Sequence, residues 1–151
     1  MVKYIRVALL SVLFGLGVVI HSFSVDAHSH YNGVYYSNFM CSDNVVLTDV
    51  DGLDIQFQGS LSNLGDSYSM MFDVTNDSSV DVIVQNYSYN DDDPFVFVQL
   101  SYADGSRIQQ GDILKRGETK RLKYSVSYQK QVPSESYSFD SSFKIYYEQY
   151  L

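Results

Sequence analysis

The chain has 151 residues, 45% of them apolar and 19% charged, with a formal net charge of -8. That length and composition suit one globular domain with its own core, and argue against a disordered chain or two full domains. The acid excess argues against nucleic acid or an anionic lipid surface as a partner.

Lys3 and Arg6 precede an apolar run over residues 7–20, and Val25 and Ala27 set small side chains around Asp26. This is the pattern of a signal-peptide helix over residues 1–27, cut before His28. The competing reading is a retained anchor, with the membrane touched only through that segment. A spanning helix needs about 20 apolar residues, and His21, Ser22 and Ser24 interrupt this run early. The cut removes Lys3, Arg6 and Asp26, leaving eight bases against seventeen acids and a net charge of -9. The localisation expected is secreted or on the extracytoplasmic cell surface.

The new amino terminus reads His28-Ser29-His30. A free amine followed by a histidine at the third position can wrap Cu(II) or Ni(II) in a square plane. The plainer reading of His28 and His30 is a tail without a metal role. Residues 28–44 form either an extension or the first strand of a sandwich domain over residues 45–151. Within them "GVYYSNFM" is uncharged and aromatic, with Val34, Tyr36 and Phe39 as candidates to fill a neighbour's pockets by strand addition. Cys41 is the only cysteine. It is either a buried, inert thiol or half of an intermolecular disulfide. Export without a disulfide framework fits a Gram-positive bacterium.

Further on, Asp49, Asp51 and Asp54 flank an Asp51-Gly52 turn signal, and Asp91, Asp92 and Asp93 precede Pro94. Both clusters offer oxygen ligands for calcium. A hairpin turn and a solvated loop explain the same residues. Tyr68, Met70, Phe72 and Val74 alternate with polar residues at period two, the mark of a half-buried strand. Leu122, Tyr124, Val126 and Tyr128 repeat that pattern, and Phe139, Phe143, Ile145 and Tyr147 give a third such strand. Residues 80–84 and 95–102 are apolar on both faces, as central strands can be. Asp104-Gly105 and Gln110-Gly111-Asp112 mark turns. No window after residue 27 has a helical period. The fold expected is all-β, an Ig-like antiparallel sandwich of about seven to eight strands.

One phrase occurs twice. Residues 63–75, "NLGDSYSMMFDVT", and residues 115–127, "KRGETKRLKYSVS", align without gaps as glycine, acid, hydroxyl and then an alternating strand. The glycine supplies a turn conformation and the acid and hydroxyl can bond nearby backbone. Neither strand is stable alone, so the repeat reads as turn-to-strand grammar within one domain.

Several phrases are shared with known proteins. "LGDSYSMMFDVTNDSSVDV", "YADGSRIQQGDILKRGETKRLKYSVSY" and "FKIYYEQY" resemble a group of largely uncharacterised, secreted Ig-like surface proteins of Firmicutes and Mollicutes. More distantly, the plan is similar to camelysin/TasA-like sandwiches of spore coats and biofilm matrices. The resemblance implies a surface or matrix role.

Chemistry is scarce. After the cut the sandwich body has no histidine, and the chain has neither H-E-x-x-H nor C-x-x-C. No cofactor is expected and an enzyme is a poor fit. The function expected is non-catalytic, in binding or assembly, with a protein partner or self-assembly through edge strands. The alternative is a monomeric secreted module for glycan or calcium, and a metallopeptidase-like enzyme comes third. Tyr35, Tyr36, Tyr87, Tyr89, Tyr146 and Tyr147 are either exposed partner-binding patches or sheet packing.

Overall fold

The computed structural model describes residues 33–90, 92–130 and 137–150, together with the backbone of residues 21–23. Residues 1–20 of the expected signal-peptide helix and the His28 and His30 site lie outside the described residues, and residues 21–23 of that expected helix are instead extended. Among the described residues there are ten strands: β1 (His21–Phe23), β2 (Val34–Cys41), β3 (Val45–Asp51), β4 (Asp54–Leu61), β5 (Ser67–Asn76), β6 (Val82–Tyr89), β7 (Val96–Tyr102), β8 (Ile113–Leu114), β9 (Thr119–Tyr128) and β10 (Tyr137–Gln149). Eight are long, and β1 and β8 are fragments of three and two residues. There is no helix among the described residues, and so none long and apolar enough to cross a membrane.

The strands form two five-stranded sheets, ordered β1-β2-β5-β9-β7 and β3-β4-β10-β6-β8, with every pairing antiparallel. The chain is thus the all-β sandwich that the alternation predicts. From β2 onward only β3 and β4 are both consecutive and paired. Their two-residue connection is Gly52-Leu53, with Gly52 at φ 63°. Apart from β1–β2, every other pairing skips at least one strand, so most of the fold rests on long-range closure.

Each inward set expected from the sequence is buried. On β5 these are Tyr68, Met70, Phe72 and Val74; on β9, Leu122, Tyr124, Val126 and Tyr128; on β10, Phe139, Phe143, Ile145 and Tyr147. Phe143 is the hub of the core. Its ring stacks on Phe72 at 4.9 Å and Tyr124 at 5.3 Å, and lies 5.9 Å from Tyr36 and 6.4 Å from Phe57. These offset and edge contacts tie three strands of one sheet to two of the other.

One sequence expectation changes and two open choices close. The stretch "GVYYSNFM" supplies β2, paired along β5 from Val34↔Asn76 to Cys41↔Met70, with Val34, Tyr36 and Phe39 in this chain's own core. The sandwich therefore begins before residue 45. A bulge makes this possible: Asn38 takes φ 52° between Ser37 and Met40, so Tyr36 and Phe39 both face inward although three residues apart. Residues 95–102 give an edge strand, β7, and not a central one. Their continuous apolar run arises because Phe97 points outward and is 53% exposed. The tyrosine patch largely disappears. Tyr36 and Tyr147 are buried, Tyr87 and Tyr89 stack on each other at 6.2 Å against the core, and Tyr146 is left exposed.

At Gly59 on β4 the missing side chain leaves room for a ring from the facing sheet. Tyr68 crosses from the other sheet and lays its ring where a Cβ on Gly59 would sit. Its hydroxyl then meets Ser141 Oγ at 2.7 Å and donates to the Phe139 carbonyl at 3.3 Å. A methyl group at residue 59 would push this ring off its bonds. Gly59→Ala should therefore lower the free energy of unfolding by about 1–3 kcal/mol, the range for overpacking a core. Urea melts would show a lower midpoint at unchanged slope. A melt indistinguishable from the parent would mean that the Tyr68 ring is not seated on Gly59.

Candidate functional site

The repeated phrase turns out to be one device made of two halves. β5 and β9 pair from Ser67↔Ser127 to Thr75↔Thr119, so Met71 faces Lys123, its own counterpart in the repeat. A local two-fold runs through that pair. Gly65 N–H donates to Tyr128 O at 3.0 Å, and Gly117 N–H to Asn76 O at 2.7 Å. In return, Tyr128 N–H donates to Asp66 O at 2.8 Å, and Asn76 N–H to Glu118 O at 3.0 Å. The glycine-acid turn of each copy thus caps the far end of the other copy's strand. Gly65 and Gly117 sit at φ 90° and 74°, where other residues are strained. Each acid also closes its own turn. Asp66 Oδ2 accepts from Ser62 and Asn63 N–H at 3.1 and 2.7 Å, and Glu118 Oε2 from Lys115 N–H at 2.7 Å. The bonds from the Asn63 and Ser62 amides hold the Asp66 carboxyl below its ordinary value.

The polar groups inside or against the core serve the same end. Asn76, fully buried, donates from Nδ2 to Val80 O at 2.9 Å and Leu114 O at 3.0 Å, and its Oδ1 accepts from Ser78 N–H and Oγ at 3.0 and 2.6 Å. This one amide joins the sheets and fixes the β5–β6 turn. Tyr102 donates to Asp112 Oδ2 at 2.8 Å, and Lys120 Nζ reaches Ile113 O at 2.7 Å beneath the Tyr102 ring. Burial first, then the Asp112 carboxylate, pushes the Tyr102 phenol far up.

The acidic residues proposed for calcium are placed as follows. Asp49 and Asp51 lie on β3 and Asp54 opens β4, with Asp51 directly opposite Asp54 and Asp49 opposite Gln56. Asp49 Oδ1 accepts the next residue's N–H at 2.9 Å. Asp93 Oδ1 accepts from Phe95 N–H at 2.9 Å, Asp92 is exposed, and Asp91 lies outside the described residues. Among the described residues no group of three His, Cys, Asp or Glu comes together to hold a metal ion. Cys41 is buried, and desolvation pushes its thiol up to about 11. That favours the inert thiol over a reactive one.

One charged cluster escapes the sequence pattern. Across β5 and β9, Arg121 Nε contacts Asp73 Oδ1 at 2.8 Å and its Nη2 lies 3.3 Å from Oδ2. Asn38, at the β2 bulge, donates to the same Oδ2 at 2.7 Å. Three strands are pinned together on the outer face of their sheet. Only the direct register Asp73↔Arg121 could have revealed the pair, and a sequence does not state register.

No family model, curated protein or solved structure matches the chain.

Asp73 gives a pH-dependent signature. Burial raises its carboxyl, but the bonds from Arg121 and Asn38 and the guanidinium charge outweigh burial and hold it below 3.8. A carboxyl depressed by folding adds stability above its unfolded value, and loses it as pH falls through the folded one. With Arg121 partly exposed, the pair is worth under about 1 kcal/mol. The stability advantage of the parent over Asp73→Asn should be full at neutral pH and vanish on acidification below about pH 4. Paired urea melts across that range check this. An advantage independent of pH would remove the ion pair from the account.

Proposed function

We propose that the protein is an exported, non-catalytic sandwich that acts at or outside the cell surface through binding or assembly. The observation carrying this reading is where the polar chemistry goes. Asn76, Tyr68, Asp66, Glu118, Tyr102 and Asp112 spend their hydrogen bonds on closing turns and joining sheets. What the chain presents to a partner is its faces and its strand edges. The outer face of the β4-β10-β6 layer carries Gln56, Gln58, Gln85, Asn86 and Tyr146. The basic and apolar leader and its small-residue cut site support export, and the resemblance to secreted surface proteins of Firmicutes and Mollicutes points the same way.

Fractionation of producing cells tests the reading. The protein should be recovered from the supernatant, or shaved from intact cells by protease, with His-Ser-His as its amino-terminal sequence. Recovery from the cytoplasm alone, beginning at Met1, would overturn it.

A further inference from the structure

We propose that copies of this chain stack face to face, the basic outer face of the β2-β5-β9-β7 layer of one copy docking on the acidic outer face of the β3-β4-β10-β6 layer of the next. The inference names the partner for the assembly reading above and rests on it.

The first face is basic. A row runs straight across it: Met71 on β5 is opposite Lys123 on β9, Lys123 is opposite Ser101 on β7, and Ser101 bridges to Arg107. Two residues along β9, Arg121 lies opposite Asp73. Directly opposed residues share a face of the sheet, so Arg107, Arg121 and Lys123 project from one surface, and all three are exposed. Asp73 stands among them, already held by Arg121. Asp104, in the loop before Arg107, spends its carboxylate on Ser106 N–H and Oγ at 2.9 and 2.6 Å. Among the described residues neither Lys123 nor Arg107 is in an ion pair. In a chain of 10 bases and 18 acids, this face inverts the ratio.

The second face is acidic. Asp49 and Asp51 on β3, Asp54 on β4, and Asp140 and Glu148 on β10 alternate with the inward Ile55, Phe139 and Tyr147. Lys144 is the one base in these strands and in β6, and its Nζ lies 5.3 Å from the Tyr146 ring centre. Among the described residues none of the five carboxylates is in an ion pair. Asp51 lies directly opposite Asp54. Like charges so placed cost stability, and a cation from outside relieves them.

Each face also exposes a large apolar side chain. Phe97 is 53% exposed on the basic face, opposite Ser127, and Val46 is 61% exposed on the acidic face, opposite Gln58. A joint would take both out of water, while the charges select the partner and fix its orientation.

An anionic polymer would satisfy the basic face alone. A second copy satisfies both, because every chain carries the two complementary faces on opposite sides of one body. Such a joint is heterologous, so it repeats along a stack and does not close at two copies. Four strands of about eight residues cover roughly 500 Å², so a joint buries about 1,000 Å² in all, the low end for a specific interface. Association is therefore weak and concentration-dependent.

Sedimentation tests this on protein purified from producing cells, whatever amino terminus it carries. At about 0.15 M salt, screening beyond roughly 8 Å removes the general repulsion between acidic copies and leaves contact pairs. The parent should grow past twice the monomer mass as concentration rises through the high micromolar range. Arg107→Gln with Lys123→Gln neutralises the basic face, and Asp49→Lys with Asp140→Lys neutralises the acidic one. Each double variant alone should stay monomeric with an unchanged melting temperature. The two probe the joint from opposite sides, so either one decides if the other fails to fold. Mixed in equal amounts, they bring one native face of each kind, and should form a two-chain complex that grows no further. A monomeric parent, a folded variant that associates as the parent does, or a mixture that fails to pair while the parent self-associates overturns the proposal. So does a parent that stays monomeric alone and binds polyphosphate, since the basic face then serves a polyanion. The export reading is judged separately, by the amino-terminal sequence of the same preparation.

Discussion

The reciprocal capping of β5 and β9 is the constraint on which the sandwich depends. Each strand begins in a glycine-acid turn whose backbone closes the other strand's far end, through four hydrogen bonds of 2.7–3.0 Å. The register is therefore fixed at both ends at once, and cannot slip by one residue without breaking both caps. A slip would turn Tyr68, Met70, Phe72 and Val74 out of the core together. With the register held, Phe72 and Tyr124 stand side by side to receive Phe143 from the facing sheet.

The rest of the fold extends from this pair. β2 joins β5 on one side, using its bulge to place Tyr36 and Phe39 inward, and β7 joins β9 on the other. Asn76, at the capped end of β5, reaches Leu114 on β8 and so ties the capped pair to the second sheet. Tyr68, one residue into β5, does the same at the opposite end through Ser141 on β10. The two sheets are thus cross-linked by one polar side chain at each end of the same strand, with aromatic packing between. Such buried bonds are costly to break, because each leaves an unsatisfied partner.

Much of this was legible in the sequence. Period-two alternation identified the inward faces of β5, β9 and β10, and the Asp-Gly signals marked the turns. The repeat itself was visible, and its reading as turn-to-strand grammar was right as far as it went. That the copies are neighbours, related by a local two-fold, was not, since nothing in a sequence states which strands pair. Residues 95–102 misled because an outward Phe97 mimics burial on both faces. β2 was ambiguous because its bulge breaks the alternation at Asn38. The Asp73–Arg121–Asn38 cluster drew on three strands whose order only the fold supplies. The binding surfaces were illegible for a plainer reason: exposed glutamine, serine and tyrosine side chains suit solvent and partner alike.

Native-state hydrogen exchange tests the capping most directly. The amides of Gly65, Asn76, Gly117 and Tyr128 sit at opposite ends of the β5–β9 ladder, yet each is bonded across the local two-fold. If the caps act as one cooperative unit, all four exchange only through global unfolding, with a common free energy equal to that from denaturant melts. The β3–β4 hairpin amides should exchange through smaller, local openings. Were Gly65 and Tyr128 to exchange at a free energy far below that of Asn76 and Gly117, the two ends would be opening independently, and the reciprocal cap would not be what holds this sandwich in register.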